Sequence, residues 1–333
     1  MHVYCTDYTP YFAIAHSPGK PGGRDMTTER SERRGILTIL ATVGAMALAD
    51  AVVKLSSATL PLWQIWVLRS MLTVPVLLFM ARGCLRPAGL PWVILRAALL
   101  ALMYLGIYGA MPLLDLSVIA AALYTGPLFI VGLTALVLGE SITRLQRLAI
   151  LGAFLGVLVI LRPLASGFTP LALLPVGAAL LYALAAILTR TKLAAVPAMA
   201  LALWLNLTCL LAGCAVGLAI RLGLAPPVDY PFLFGHWQTM TLGDWQVIAA
   251  LAVLMVATGI GLARAYQSPR PQVIATLDYA YLIFAAFWGR VFFGEIPDIP
   301  TVLGIALIIA CGLMAAAPFR AQGNRADDRR RGH

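Results

Sequence analysis

Charged residues are scarce in this chain, and none of its long apolar stretches contains a histidine. Only 11% of the 333 residues are charged and 61% are hydrophobic, whereas about a quarter of an average soluble domain is charged. A soluble fold of this length cannot bury so much apolar surface. The composition therefore excludes an ordinary soluble domain and predicts an all-α, polytopic membrane protein.

The cysteine and histidine patterns exclude several kinds of site. The five cysteines form no CxxC or CxxC…H spacing, so neither a zinc site nor a disulfide framework is predicted. The four histidines fall in the tails or in a loop, and the sequence contains no HExxH motif and no phosphate-binding P-loop. We expect no catalytic residues, no metal and no cofactor, so the chain is not predicted to be an enzyme.

Ten apolar segments are long enough to cross a bilayer, which takes about 20 helical residues. Several of them begin at or beside a proline, the residue best tolerated in the first turn of a helix. The predicted spans are residues 35–56, 61–81, 91–113, 117–138, 145–161, 170–188, 198–220, 245–262, 272–289 and 301–318.

The net charge of +10 comes mainly from tails and short loops, a pattern that indicates membrane topology and not nucleic-acid binding. With the N-terminus inside, 18 of the 24 lysines and arginines fall on the inner side, and the outer loops hold Arg162, Arg221 and Arg290. We therefore predict that both tails are cytoplasmic. The longest loop, residues 221–244, is then outside, where its aromatic residues either anchor at the lipid headgroups or cap a substrate.

Two stretches near the ends of the fourth and ninth spans resemble each other. GPLFIVGLTALVLGE ends at Glu140 and YLIFAAFWGRVFFGE ends at Glu295, 155 residues later, and a short turn and a last glycine-bearing helix follow each. Such self-similarity indicates a duplicated architecture. Because five spans is an odd number, the second unit must enter the membrane from the opposite side, which predicts two inverted five-helix repeats.

These features resemble the drug/metabolite transporter superfamily, in particular its EamA-like branch. The resemblance rests on the LGE and FGE helix ends, the glycine-rich helices after them, Arg69 in the second span and Pro127 in the fourth, and it covers residues 35–318. It implies ten helices in two inverted repeats and transport of amino acids, vitamins, nucleotide-like metabolites or similar solutes. The ninth span has Leu282 where the fourth has Pro127, so we expect the two halves to bend differently.

Charged residues within the spans are the candidate site, because a charge at the bilayer centre costs about 2.5–3.5 kcal/mol on insertion scales. Asp50 and Arg69 lie at similar predicted depths, about 22 and 18 Å from the inner surface, and could pair. Lys54 follows Asp50 on the same helix face. These three residues form either a structural ion-pair network or part of a substrate cavity, and the sequence leaves both interpretations open.

Asp278 and Tyr124 complete the predicted substrate site. Asp278 has no basic residue at helical spacing, so it requires a partner from another helix, a proton or a substrate. A structural hydrogen bond is the alternative. Tyr124 lies three residues before Pro127, which bends the helix and frees a carbonyl, as suits a cavity wall.

The predicted domains are a disordered cytoplasmic tail (1–34), a first repeat (35–162), a second repeat (170–318) and a cytoplasmic C-terminal tail (319–333). We predict a multi-pass secondary transporter of the bacterial inner membrane that moves a small organic solute by alternating access. Its partners are that solute and the lipid bilayer, with no nucleic acid, and the sequence leaves a homodimer open. The alternative is a membrane-embedded receptor or assembly protein that transports nothing.

Overall fold

A computed structural model describes residues 26–80, 87, 89–139, 143–162, 170–224, 230–266 and 277–314. Within these residues the fold is helical, with no β-strand. Glu140 and the predicted C-terminal tail lie outside the described residues. The helices of the first half are α1 (Met26–Ser56), α2 (Leu62–Met80), α3 (Leu90–Ala110), α4 (Leu116–Leu123), α5 (Gly126–Leu138) and α6 (Arg144–Leu161).

The second half repeats this sequence of helices after a short 3₁₀ turn, Pro170–Leu173. A single helical turn, Pro231–Phe234, lies in the long connection before α9. The helices are α7 (Leu174–Lys192), α8 (Ala198–Arg221), α9 (Leu242–Tyr266), α10 (Ala280–Phe293) and α11 (Ile299–Met314).

Eight helical segments are long and apolar enough to cross a membrane, and α4 and α5 together form one of them, Leu116–Val137. The helices α10 and α11 are apolar but shorter, and they occupy the described parts of the predicted ninth and tenth spans. Large apolar side chains point outward, with Phe79 88% exposed and Leu136 83% exposed. An all-helical, multi-pass membrane protein is therefore confirmed.

The ends of several helices are fixed by residues that suit them. Gly139 and Gly294 close α5 and α10 at φ 68° and 69°, left-handed values that favour glycine. Thr143 begins α6 in a capping box with Gln146. Asp298 accepts the Thr301 N–H at 3.0 Å at the start of α11, and Thr301 and Arg162 lower the pKa of this carboxyl to about 2. The first helix begins at Met26, so residues 26–34 of the predicted tail are helical.

The helices pack across the two halves more than within each half. Helix α3 packs along α7 and α9 packs along α1, while α2 packs along α8. Helix α10 contacts both α1 and α4, and α4 and α5 both contact α7. This arrangement brings α1, α4 and α10 together in the main hydrophobic core, where the candidate site lies.

Candidate functional site

Two spans are interrupted at the centre of the protein. Helix α4 ends at Leu123, and Tyr124 and Thr125 separate it from α5. Pro127 has no N–H to donate, so a continuous hydrogen-bond ladder cannot pass this point. In the second half Leu277 is helical, Asp278 and Tyr279 form a turn, and α10 starts at Ala280.

The second interruption corrects our expectation that the two halves bend differently. The chain there breaks its helix without a proline, because the Asp278 carbonyl accepts both the Tyr281 N–H at 3.0 Å and the Tyr124 hydroxyl at 2.9 Å. A side chain that enters the backbone ladder in this way is a recognised cause of a helix kink. The missing proline is therefore replaced by a contact from the other half.

The two interruptions lie against each other through aromatic rings. The Tyr124 ring is stacked on Tyr281, with centroids 5.2 Å apart, and tilted against Tyr279 at 5.4 Å. The side chain of Asp278 also interacts with Tyr124. Tyr124 and Asp278, which were predicted as site residues on separate helices, are thus in direct contact.

Asp50 joins this group from α1. The Tyr281 hydroxyl donates to the Asp50 Oδ2 at 2.5 Å, and Tyr281 is 4% exposed. Asp50, Tyr281, Tyr124 and Asp278 therefore form a continuous polar and aromatic row that crosses from α1 to the interrupted spans. Asp50 itself is half-buried.

Arg69 lies beside Asp50 and is 4% exposed. It interacts with Asp50 and with Tyr108 of α3, and Tyr108 interacts with Asp50 as well. The described residues contain two close ion pairs, and neither joins Asp50 to Arg69. The predicted proximity of Asp50 and Arg69 is thus observed, but Tyr108 bridges them in place of a direct ion pair.

Lys54 does not belong to this group. Its Nζ forms an ion pair with Glu295 and donates to the Leu114 carbonyl at 2.6 Å. The other oxygen of Glu295 accepts the Leu116 N–H at 2.8 Å, at the first turn of α4. A network of Asp50, Lys54 and Arg69 is therefore not what the structure contains: Lys54 fastens the end of α1 to the start of α4 and the end of α10.

Further contacts close the same end of the bundle. Gln64 at the start of α2 exchanges two hydrogen bonds with the backbone of Gln238, each 2.9 Å long. Trp63 Nε1 donates to the Gly235 carbonyl at 3.0 Å, and the Tyr230 hydroxyl donates to the carbonyl of Gly109 at 2.6 Å. The loop before α9 is thus bonded to the bundle itself, with Phe232 buried in the core.

Sequence reasoning missed two residues of the row. Tyr108 was treated as a packing residue, and Tyr281 was noted only as sharing a face with Asp278. A usable signal was present for Tyr108, because Tyr104 and Tyr108 are four residues apart on α3 and their rings stack at 5.5 Å. No group of metal-binding side chains occurs among the residues that the structure describes.

Comparison with known proteins identifies the family. Residues 33–162 match the EamA-like transporter family. This chain is an EamA-like transporter. It is 27% identical over 289 residues to a pseudopaline exporter, CntI, from Pseudomonas aeruginosa, which covers 84% of this chain and 95% of the exporter.

A riboflavin transporter from Brucella anthropi is 26% identical over 263 residues, 77% of this chain and 87% of that protein. One solved crystal structure shares the fold with a TM-score of 0.54 at 19% identity, over 88% of this chain and 99% of that one. EamA-like transporters are not enzymes, and this member is a membrane protein that moves a small solute.

Proposed function

We propose that this EamA-like transporter works by alternating access between two inverted five-helix repeats and binds its solute at the row Asp50–Tyr281–Tyr124–Asp278 and at Arg69. The observation that carries the proposal is the contact between the two interrupted spans, with buried charges beside it. Transporters with inverted repeats bind substrates where discontinuous helices from the two repeats meet, near the midplane.

Matching positions in the two halves support the repeat. Three kinds of landmark recur at a constant distance of 155 residues: the residue at each interruption, the glycine that ends the next helix and the first residue of the last helix. The pairs are Tyr124 with Tyr279, Gly139 with Gly294, and Arg144 with Ile299. Because Tyr124 contacts Tyr279, a twofold axis that exchanges the halves would pass between these two rings.

The packing of the helices supports the same exchange. It pairs α1 with α7, α2 with α8, α3 with α9, α4 and α5 with α10, and α6 with α11. Under it the α3–α7 contact becomes the α9–α1 contact, and both contacts occur. The α2–α8 and α4–α10 contacts map onto themselves, as expected for helices next to the axis.

A small residue recurs at corresponding helix crossings. Gly106 of α3 lies against Ala178 of α7, and Gly261 of α9 lies against Thr42 of α1. Gly106 and Gly261 are again 155 residues apart, whereas α2 and α8 start 136 residues apart, at Leu62 and Ala198. The 19 residues of difference correspond to the longer connection before α9, so an insertion there accounts for the change of spacing.

The charges divide into two roles in this proposal. Asp50 and Arg69 bind or gate an ionic group of the solute, and Tyr124 contacts a ring or a polar group. Asp278 takes a coupling proton or a cationic group. Ionisable residues inside a membrane are expensive and mark substrate or proton pathways, which favours these roles over simple packing.

The proposed location is the bacterial inner membrane, with both termini in the cytoplasm. The excess of lysine and arginine in the connections assigned to the inner side supports this orientation. The end closed by the Lys54–Glu295 pair and by the loop before α9 then faces outward. The relatives' names, a pseudopaline exporter and a riboflavin transporter, support an organic solute and leave uptake and export as alternatives.

The test is solute counterflow in proteoliposomes, with radiolabelled L-amino acids, riboflavin and nucleotides as the panel. We expect saturable flux of at least one solute, reduced about tenfold or more in Asp278→Asn and in Arg69→Ala, since a charged hydrogen bond contributes about 1.5–3 kcal/mol. Arg162→Ala, which removes an exposed charge outside the site, should transport at the parent rate.

Two results would contradict the proposal separately. If both site variants transported at the parent rate, the solute would bind elsewhere in the protein. If purified protein bound a partner protein but moved no member of the panel, the alternative function of receptor or assembly protein would be favoured.

A further inference from the structure

One face of α2 carries polar atoms that no described residue satisfies. Trp66, Arg69 and Ser70 are spaced so that all three lie on the same side of the helix. They are 5%, 4% and 0% exposed. The indole Nε1 of Trp66, the Nε of Arg69 and the hydroxyl of Ser70 have no hydrogen-bond partner among the described residues.

Such a group of unsatisfied atoms is rare in a folded interior. Buried polar groups are normally paired, and an unpaired one is costly and calls for an explanation. The Arg69 guanidinium does interact with Tyr108, so only part of its donor capacity is used within the protein. Three neighbouring unpaired atoms on one helix face indicate a place for a ligand group.

The chemistry of the three atoms defines that group. An indole N–H and a guanidinium N–H are donors only, and a serine hydroxyl can donate. Three donors, one of them positively charged, suit an acceptor-rich anion, and arginine binds carboxylate and phosphate oxygens particularly well. This donor face of α2, consisting of Trp66, Arg69 and Ser70, is thus suited to an oxyanion.

The charges around the donor face narrow the choice further. Asp50 is close enough to Arg69 to interact with it, so the two fixed charges cancel each other. A phosphate, or a solute with only a carboxylate, would leave uncompensated negative charge in the protein core, which is strongly unfavourable. A solute that brings an ammonium group together with a carboxylate keeps the site neutral.

Resting on the function proposed above, we propose that the solute is a zwitterion of the amino-acid type. Its carboxylate binds the donor face of α2, and its ammonium group binds the Asp50 carboxylate. Asp50 and Arg69 belong to adjacent helices and form no direct ion pair, so each has an oppositely charged solute group to receive. The stacked rings of Tyr124 and Tyr281 lie next to Asp50 and bound the space for the solute's remaining atoms.

The first experiment measures ligand-induced thermal stabilisation of the purified full-length protein. The twenty proteinogenic L-amino acids are tested with riboflavin, and the best amino acid is then compared with its methyl ester and its N-acetyl derivative. Ligand binding to the native state raises the apparent unfolding temperature with concentration. We expect the zwitterion to stabilise the protein and both derivatives, which each lose one charge, to bind at least tenfold more weakly.

The second experiment assigns the carboxylate to α2. Trp66→Phe and Ser70→Ala each remove one donor and keep most of the side-chain shape, so we expect about a threefold to tenfold weaker affinity for the amino acid. Arg69→Lys keeps the charge but loses the guanidinium, and its loss should be larger. Arg96→Lys is the matched control, because Arg96 bonds to Thr189 on α7 at 2.7 Å and is outside the donor face.

The outcomes separate this inference from the function proposed above. Equal binding of the methyl ester, or unchanged affinity in Trp66→Phe and Ser70→Ala, would overturn the assignment of the carboxylate to α2. Stabilisation and flux of riboflavin without any response to an amino acid would overturn the zwitterion and leave the transport proposal intact. A protein that moves no member of the panel would contradict the transport proposal itself.

Discussion

Tyr281 is the residue on which the candidate site depends most directly. Its hydroxyl donates to Asp50 at 2.5 Å, and its ring stacks on Tyr124. One side chain of α10 therefore links a charge on α1 to the interruption after α4. A buried carboxylate without such a donor is costly, so the Tyr281 hydroxyl stabilises Asp50 in the core.

Replacing Tyr281 with phenylalanine should separate these two roles. The ring stack remains, but Asp50 loses its donor, so we expect the free energy of unfolding to fall by about 1–2 kcal/mol and solute flux to fall. Asp50→Asn is the companion variant, because asparagine can still accept the Tyr281 hydroxyl but carries no charge. Thermal unfolding and counterflow are measured on both, and a Tyr281→Phe protein with parent stability and flux would show that the bond is unimportant.

The charged residues of the site could be predicted from the sequence, but most of their partners could not. Asp50, Arg69 and Asp278 stand out because a charge in an apolar span is costly wherever the helix packs. The partners Tyr281 and Tyr108 could not be recognised, because a tyrosine in a span is more often a packing residue. Lys54 was grouped with Asp50 by helical spacing, yet tertiary packing brings it to Glu295.

Whole helices follow the sequence closely where local chemistry decides their ends. The first helix ends at Ser56, as predicted, and α5 ends just before a left-handed glycine. The interruption at Asp278 and Tyr279 could not be predicted, because the hydroxyl that enters the ladder comes from Tyr124, 154 residues away in sequence. Proline is a local signal for a break, whereas this break depends on a contact between the halves.

The crossing of α1 and α9 should depend on the absence of a side chain at Gly261. A Cβ at this position would lie 2.2 Å from the Thr42 Oγ1, so Gly261→Ala should destabilise the protein by about 1–3 kcal/mol. Gly259 lies on the same helix with nothing within 4 Å of its would-be Cβ. Gly259→Ala is the matched control and should be neutral or stabilising by up to about 1 kcal/mol.

The apparent unfolding temperature in detergent measures both variants. Thr42→Ala combined with Gly261→Ala should recover most of the loss, because it removes the atom that the new methyl group meets. Equal effects of Gly261→Ala and Gly259→Ala would mean that the helices do not depend on this close approach.

In the molecule as a whole, the duplication was visible in the sequence only where the two halves still resemble each other. The Gly-Glu endings gave the 155-residue spacing, but the first two helices of each half are 136 residues apart and share no recognisable motif. Their correspondence emerges from the way in which α3 packs on α7 and α9 packs on α1. Packing partners preserve a duplication after the sequence similarity has been lost.

The inversion of the two halves leads to a decisive labelling experiment. Ala58 lies between α1 and α2, and Ala194 lies between α7 and α8, 136 residues later, so the two are equivalent positions of the repeats; both are exposed. In a cysteine-free background, Ala58→Cys should react with a membrane-impermeant maleimide on intact cells. Ala194→Cys should react only after the membrane is permeabilised, because an odd number of spans separates equivalent positions of inverted repeats.

This pair serves as its own control, since equivalent connections have similar local surroundings and differ only in the side of the membrane. Labelling of both cysteines from outside would mean parallel repeats and would remove the basis for alternating access by exchange of two inverted halves. Labelling of Ala194→Cys alone would keep the inversion and reverse the orientation, and it would put the end closed by Lys54 and Glu295 on the cytoplasmic side.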